Sequence, residues 1–127
     1  MPKLYYASPR DLPIIEPHPG VKGRVVHAQH ATLIVYDYTP RTIVETHKHT
    51  VEQFGVVVKG SLAMVVAGEQ RILMVGDTFR IPAGTAHGAR VFEESTQVVQ
   101  VFAPPRTDLP RPSMDGPATK DGPATKT

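Results

Sequence analysis

The 127-residue chain contains no cysteine, no tryptophan and no asparagine. Without cysteine there is no disulfide framework, no thiolate zinc site and no cysteine nucleophile. Long apolar runs are also missing, and the longest covers only a few residues, too few to cross a bilayer. The opening MPKLYYASPR lacks the apolar stretch of a secretory signal, so a cytoplasmic protein is the expectation. Charge of one sign is scarce as well. Fourteen Lys and Arg against twelve Asp and Glu leave a net charge of +2. That surplus is too small to suggest a nucleic-acid partner, although the pI is about 9.0. No Gly-rich phosphate loop or serine-nucleophile motif is present.

What the chain has in quantity is β-branched residues. Val and Ile number 22 against 6 Leu, which favours strands over helices. No window of eleven or more residues keeps a helical apolar stripe free of Gly or Pro. Turn signals instead divide the chain into about nine short strands: 24–29, 31–38, 42–46, 53–58, 61–67, 70–75, 78–81, 86–92 and 96–103. Lys59-Gly60 and Gly68-Glu69 sit where tight hairpin turns are expected. So many strands in so short a chain are best protected by closure into an all-β barrel. Six of the thirteen prolines fall at or after Pro104, where Asp115-Gly-Pro-Ala-Thr-Lys120 is repeated as Asp121-Gly-Pro-Ala-Thr-Lys126. The expected organisation is an arm over 1–20, a single barrel domain over 21–112 and a flexible repeat-containing tail over 113–127, which has too little apolar surface to offset the entropy of ordering.

The segment richest in chemistry is His47-Lys-His49-Thr-Val-Glu-Gln53. Residues i and i+2 of a strand point to one face, so His47 and His49 project side by side and can take adjacent positions on one metal ion. Such a pair on a surface strand is often merely solvated, and the pattern downstream is what adds weight to it. Gly60 lies seven residues after Gln53, and Gly76-Asp-Thr-Phe-Arg-Ile-Pro82-Ala-Gly84-Thr-Ala-His87 follows. These two segments resemble the paired motifs of the cupin superfamily, with His47, His49, Gly60, Gly76, Pro82, Gly84 and His87 in register and 15 residues, 61–75, between them. Arg41 stands at the leading Gly, Val91 at the closing Asn, and Gln53 at the usual Glu ligand. The resemblance implies a single-domain jelly-roll barrel, the double-stranded β-helix. It also implies one divalent transition metal ion (nickel, zinc, iron, manganese or copper) and a homodimer in which the 1–20 arm crosses to the partner.

Within the superfamily, His47-x-His49-x-x-Glu52-Gln53-x-Gly55, the Ile81-Pro82 to His87-Gly88 segment and Val101-Phe-Ala-Pro-Pro-Arg106 are similar to the KdgF pectin-degradation cupins. That likeness implies His47, His49, Gln53 and His87 as metal ligands and an isomerase-like enzyme opening unsaturated uronates. Its acidic residue on the last strand is Gln100 in this chain, whereas Phe102 and Arg106 match. Gln cannot exchange protons near neutral pH, so proton transfer at Gln100 fails or moves elsewhere. Glu45, on the expected face of His47 and His49, is one substitute; Tyr36 and Tyr38 are others, and Glu52 faces away beside the inward Gln53. Arg106 is expected to grip a substrate carboxylate as a fork and Phe102 to form cavity wall. His18, His27 and His30 have no motif partners and are expected to be structural or exposed. A small anionic molecule, a uronate in the leading reading, is the expected partner. A metal-dependent oxygenase or lyase and a non-catalytic binder or sensor are the alternatives.

Overall fold

In a computed structural model, which describes residues 5–109, the chain folds as two antiparallel sheets with a three-residue 3-10 turn, Pro9–Asp11, before them. The strands are β1 (Ile14–His18), β2 (Val21–His27), β3 (Thr32–Tyr38), β4 (Ile43–His47), β5 (Glu52–Lys59), β6 (Ser61–Val66), β7 (Glu69–Met74), β8 (Thr78–Ile81), β9 (His87–Val91) and β10 (Thr96–Ala103). Six of them form one sheet in the order β1-β2-β3-β10-β5-β8, and four form the other in the order β4-β9-β6-β7. The chain therefore alternates between sheets in the manner of a jelly roll, as expected from the sequence.

Strict alternation builds the core. Along β10, Thr96, Val98, Gln100 and Phe102 are buried while their neighbours are half exposed. On β3 the buried set is Thr32, Ile34, Tyr36 and Tyr38. The inner faces meet over Ile15, Val25, Ile34, Val57, Leu62, Ile81, Val91, Val98 and Phe102. Burying each of these side chains contributes roughly 1.5–3 kcal/mol. At one end of this core the buried residues turn polar, with Gln53, His87 and Gln100 among them. That end holds the site.

Three features depart from the sequence reading. There are ten strands rather than nine among the described residues, because Ile14–His18 pairs with β2. Pro17 inside this run argues against a central strand, and the structure accommodates it by placing β1 at a sheet edge, where a missing N–H costs no ladder bond. Residues 14–18 of the N-terminal segment thus pair with β2 of their own chain, and Ile15 is fully buried there. Secondly, Gly60 does not close a hairpin: β5 pairs with β8 and β10, and β6 with β7 and β9. It turns the corner from one sheet to the other. The expected turn near Gly68 is the two-residue hairpin Ala67-Gly68, with φ of 50° and 84°, between the paired Val66 and Glu69. Thirdly, the pairing of β4 with β9 shifts register between Val44 and His47, so alternation is broken inside the first histidine motif. The repeat-bearing tail over 113–127 lies outside the described residues.

The Gly60 corner is tightly held. Its φ is +77°, and a Cβ there would run into Thr96 Oγ1 and come within 2.7 Å of the Ser95 carbonyl oxygen. The same Thr96 hydroxyl accepts from Ser61 N–H at 3.2 Å and donates toward the Ser61 and Glu94 carbonyls. Gly60→Ala is therefore expected to lower stability by about 2–4 kcal/mol, combining left-handed backbone strain with overpacking. Urea unfolding at unchanged m-value measures it, and a loss below about 0.5 kcal/mol would show that the corner relaxes freely.

Candidate metal centre

His47 ends β4, His49 follows it in the connecting loop, and His87 opens β9 directly opposite His47 in the ladder. All three rings are oriented by the same local device. His47 Nδ1 lies 2.9 Å from the Glu45 carbonyl, His49 Nδ1 3.1 Å from Val51 and His87 Nδ1 2.8 Å from Thr85, each two residues away along the chain. A carbonyl can only accept, so each Nδ1 carries a proton, and in the neutral ring each Nε2 keeps its lone pair. The ring centroids are 4.5 Å apart for His47 and His87, 5.0 Å for His49 and His87, and 5.8 Å for His47 and His49. One nitrogen of each lies within 4.8 Å of the others. Burial lowers the pKa of His49 and of His87, so neutral imidazole is favoured where a metal would need it.

Gln53 could supply a fourth donor beside the three histidines. It is buried on β5, and its Nε2 donates to Gln100 Oε1 on β10, whose own Nε2 donates to the Tyr38 hydroxyl at 3.2 Å. Gln53 Oε1 is left buried with no hydrogen-bond partner. An orphaned buried carbonyl costs about 1–3 kcal/mol, and a cation beside it removes that cost. The donor set of three neutral imidazoles and an amide oxygen suits a divalent transition metal.

The four residues open onto a cavity of about 300 Å³. Tyr36, Tyr38, Gln100, Phe102 and Arg106 line it, joined by apolar wall from Ile15, Val44, Met64 and Leu109. Arg106 lies 5.0 Å over the Phe102 ring, and its backbone N–H donates to Thr32 Oγ1 at 2.9 Å. Its Nε and Nη2 are engaged by both carboxylate oxygens of Asp108, at 2.9 and 2.7 Å. The fork expected to meet a substrate is thus half occupied by a neighbour two residues away, a pair legible in the sequence as Arg106-Thr-Asp108. Among the described residues, the lining includes no Asp or Glu. Burial raises the pKa of Tyr36 to about 12 and that of Tyr38 still further, which keeps both phenols protonated.

Two sequence expectations fail here. Glu45 is exposed and outside the cavity lining, because the register shift between Val44 and His47 turns it away from the histidine face. His18 is neither a core filler nor a surface residue: its ring lies 4.9 Å from that of His47 at the cavity wall. Pro17-His18-Pro19 offers no periodic pattern that points inward, and only the edge pairing of β1 brings His18 to the site. His27 is buried with Nδ1 2.9 Å from Thr32 Oγ1, and His30 is exposed.

The cupin domain model matches residues 34–102, more than half of the chain. The chain is a cupin. It is 29% identical over 92 residues to the pectin degradation protein KdgF of Dickeya dadantii (strain 3937), covering 71% of this chain and 84% of that protein. The structure of KdgF from Halomonas sp. superposes with a TM-score of 0.70 at 28% identity, over 76% of this cupin and 89% of that chain. An RmlC-like cupin from Shewanella frigidimarina gives 0.74 at 22% identity over 82% and 94% of the two chains, a likeness of fold. This cupin resembles the KdgF proteins, and among its described residues no helix is long and apolar enough to cross a membrane.

The lowered histidine pKa values have a consequence for the metal-free protein. The native groups His18, His49 and His87 lie below the unfolded value of 6.5, so the unfolded chain takes up protons first on acidification. Stability is complete above about pH 6.5–7 and falls as pH drops through the lowered native values. Thermal melts of metal-free protein from pH 7.5 to 5 are expected to show this slope, and His49→Gln/His87→Gln to flatten it. An equal slope in the double variant would place the titration elsewhere.

Proposed function

We propose that this cupin is a metal-dependent, isomerase-like enzyme acting on small unsaturated or keto-uronates. The observation that carries the reading is the meeting of His47, His49, His87 and the orphaned Gln53 carbonyl at one cavity with Arg106. The likeness to KdgF proteins, which are named for pectin degradation, supports the substrate class.

His47, His49, Gln53 and His87 would hold the ion, and a divalent metal bound there supplies Lewis-acid polarisation of a carbonyl or hydroxyl oxygen. The protein's own residues set the rest. Arg106, stacked on Phe102 and held edge-on by Asp108, keeps Nη1 clear of that pair and available to a substrate carboxylate. Phe102 forms the wall beneath it. The His18 ring makes no hydrogen bond to the described residues and offers an imidazole to bound substrate beside His47. Tyr36 and Tyr38 remain protonated and act as hydrogen-bond donors rather than bases. A cavity without a carboxylate accepts an anion and lacks a strong side-chain base. A cytoplasmic homodimer belongs to the same reading.

Purified protein with bound metal is expected to remove the ultraviolet absorbance of an unsaturated uronate. His47→Ala should lose metal by elemental analysis and lower turnover by about 10²-fold or more. Arg106→Lys should act mainly on KM, raising it about tenfold, because an ammonium cannot reproduce the planar fork. Metal-loaded protein without turnover would sink the uronate reading. The lack of a carboxylate at position 100 favours a second reading, a metal-dependent oxygenase or lyase on another small acid, for which substrate-dependent oxygen consumption by iron-loaded protein is the discriminating assay.

A further inference from the structure

Gln100 occupies the position where an acid/base residue was expected, and its surroundings give it a different task. It is 3% exposed and spans two buried polar groups, accepting from Gln53 Nε2 and donating to the Tyr38 hydroxyl. Gly55 is its direct partner across the ladder, and a Cβ at Gly55 would sit 3.1 Å from Gln100 Cγ and run into the Val99 carbonyl oxygen. The missing side chain at Gly55 leaves room for the Val99 carbonyl, the Phe79 ring and the Gln100 side chain.

An amide ligand has a problem that a carboxylate does not. Its two ends are nearly the same size and opposite in character, so rotation by 180° about the terminal bond would present N–H donors to three imidazole lone pairs. Gln53 Oε1 has no hydrogen bond of its own to prevent this. The hydrogen bond that distinguishes its ends is the donation from Nε2 to Gln100 Oε1, and Gln100 is in turn oriented by donating to Tyr38; the Gln53 side chain also lies against the His49 ring. We infer that Gln100 is a positioning residue that sets the direction of a Tyr38–Gln100–Gln53 hydrogen-bond chain and so holds the Gln53 carbonyl toward His47, His49 and His87. In that direction Tyr38 accepts from Gln100, so its own O–H stays unspent on the chain and available to the cavity it lines. A Gln in both positions thus makes a neutral ligand directional at the expense of proton transfer at position 100.

The inference rests on the metal centre proposed above, and cobalt(II) affinity tests it without recourse to turnover. Gln100→Met keeps the shape and removes both strong hydrogen-bonding ends; it is expected to weaken cobalt(II) binding about tenfold or more in chelator competition. Gln100→Glu keeps an acceptor for Gln53 Nε2 and should bind cobalt(II) at least as tightly as the natural protein. In a Gln53→Ala background, Gln100→Met should cause no further loss, because no amide remains to be oriented. Equal affinity of Gln100→Met and the natural protein, with Gln53→Ala weaker, would overturn the positioning role alone. A natural protein that binds no cobalt(II) would overturn the metal centre and the inference with it, whereas tight binding without uronate turnover would leave the inference standing. Should Gln100→Met fail to fold, slowed solvent exchange of the Gln53 side-chain amide protons in the natural protein, kept in Gln100→Glu, supports the hydrogen bond, and fast exchange refutes it.

Discussion

Three imidazoles can point their lone pairs into one small volume only if none is protonated there and none is free to turn. Burial meets the first demand at His49 and His87, and the backbone carbonyl meets the second. Each of His47, His49 and His87 donates its Nδ1–H to a carbonyl two residues away, which leaves Nε2 as the nitrogen open to the cavity. Because those carbonyls belong to the backbone of β4, of the loop after it and of the approach to β9, ring orientation depends on strand placement. The jelly roll is therefore part of the site: the opposition of His47 and His87 in the β4–β9 ladder sets their separation, and the register shift beside His47 decides which residues of the motif share that space.

The remaining donor works by a different physical principle. Gln53 has no charge and no fixed end, so it borrows its direction from Gln100 and Tyr38, residues on two other strands. The orphaned Oε1 is the mark of that arrangement: a buried group left unsatisfied by the protein is satisfied by what the cavity binds. Charge balance follows the same pattern. Among the described residues the cavity lining has no carboxylate, it includes Lys48 and an Arg106 paired with Asp108 from the side, and its phenols are held protonated by burial. Such a lining receives negative charge more readily than it generates a base.

Much of this was legible in the chain. The excess of Val and Ile with period-two alternation implies antiparallel sheets, and eight of the nine expected strands coincide with observed ones to within one residue at each end, since alternation and turn chemistry are local properties. The ninth, 24–29, is β2 displaced by two or three residues, and the missing β1 is masked by Pro17. His47, His49, Gln53 and His87 come to one cavity as the motif spacing implies, with Phe102, Tyr36, Tyr38, Gln100 and Arg106 around them. Glu45 misled because strict alternation was extended through a bulge, and nothing in Val44-Glu-Thr-His47 marks one.

The sequence by itself determined the class of sheet, the two histidine motifs and the nitrogen–oxygen character of any metal donor set, since an absence of cysteine is absolute and strand periodicity is written residue by residue. Tertiary structure decided the rest. His18 reaches the cluster only through an edge pairing, Glu45 leaves it only through a register shift, and the amide chain joins residues 47 and 62 positions apart. Each of these depends on the stagger of strands distant along the chain, and a slip of one residue would turn every inward side chain to the opposite face.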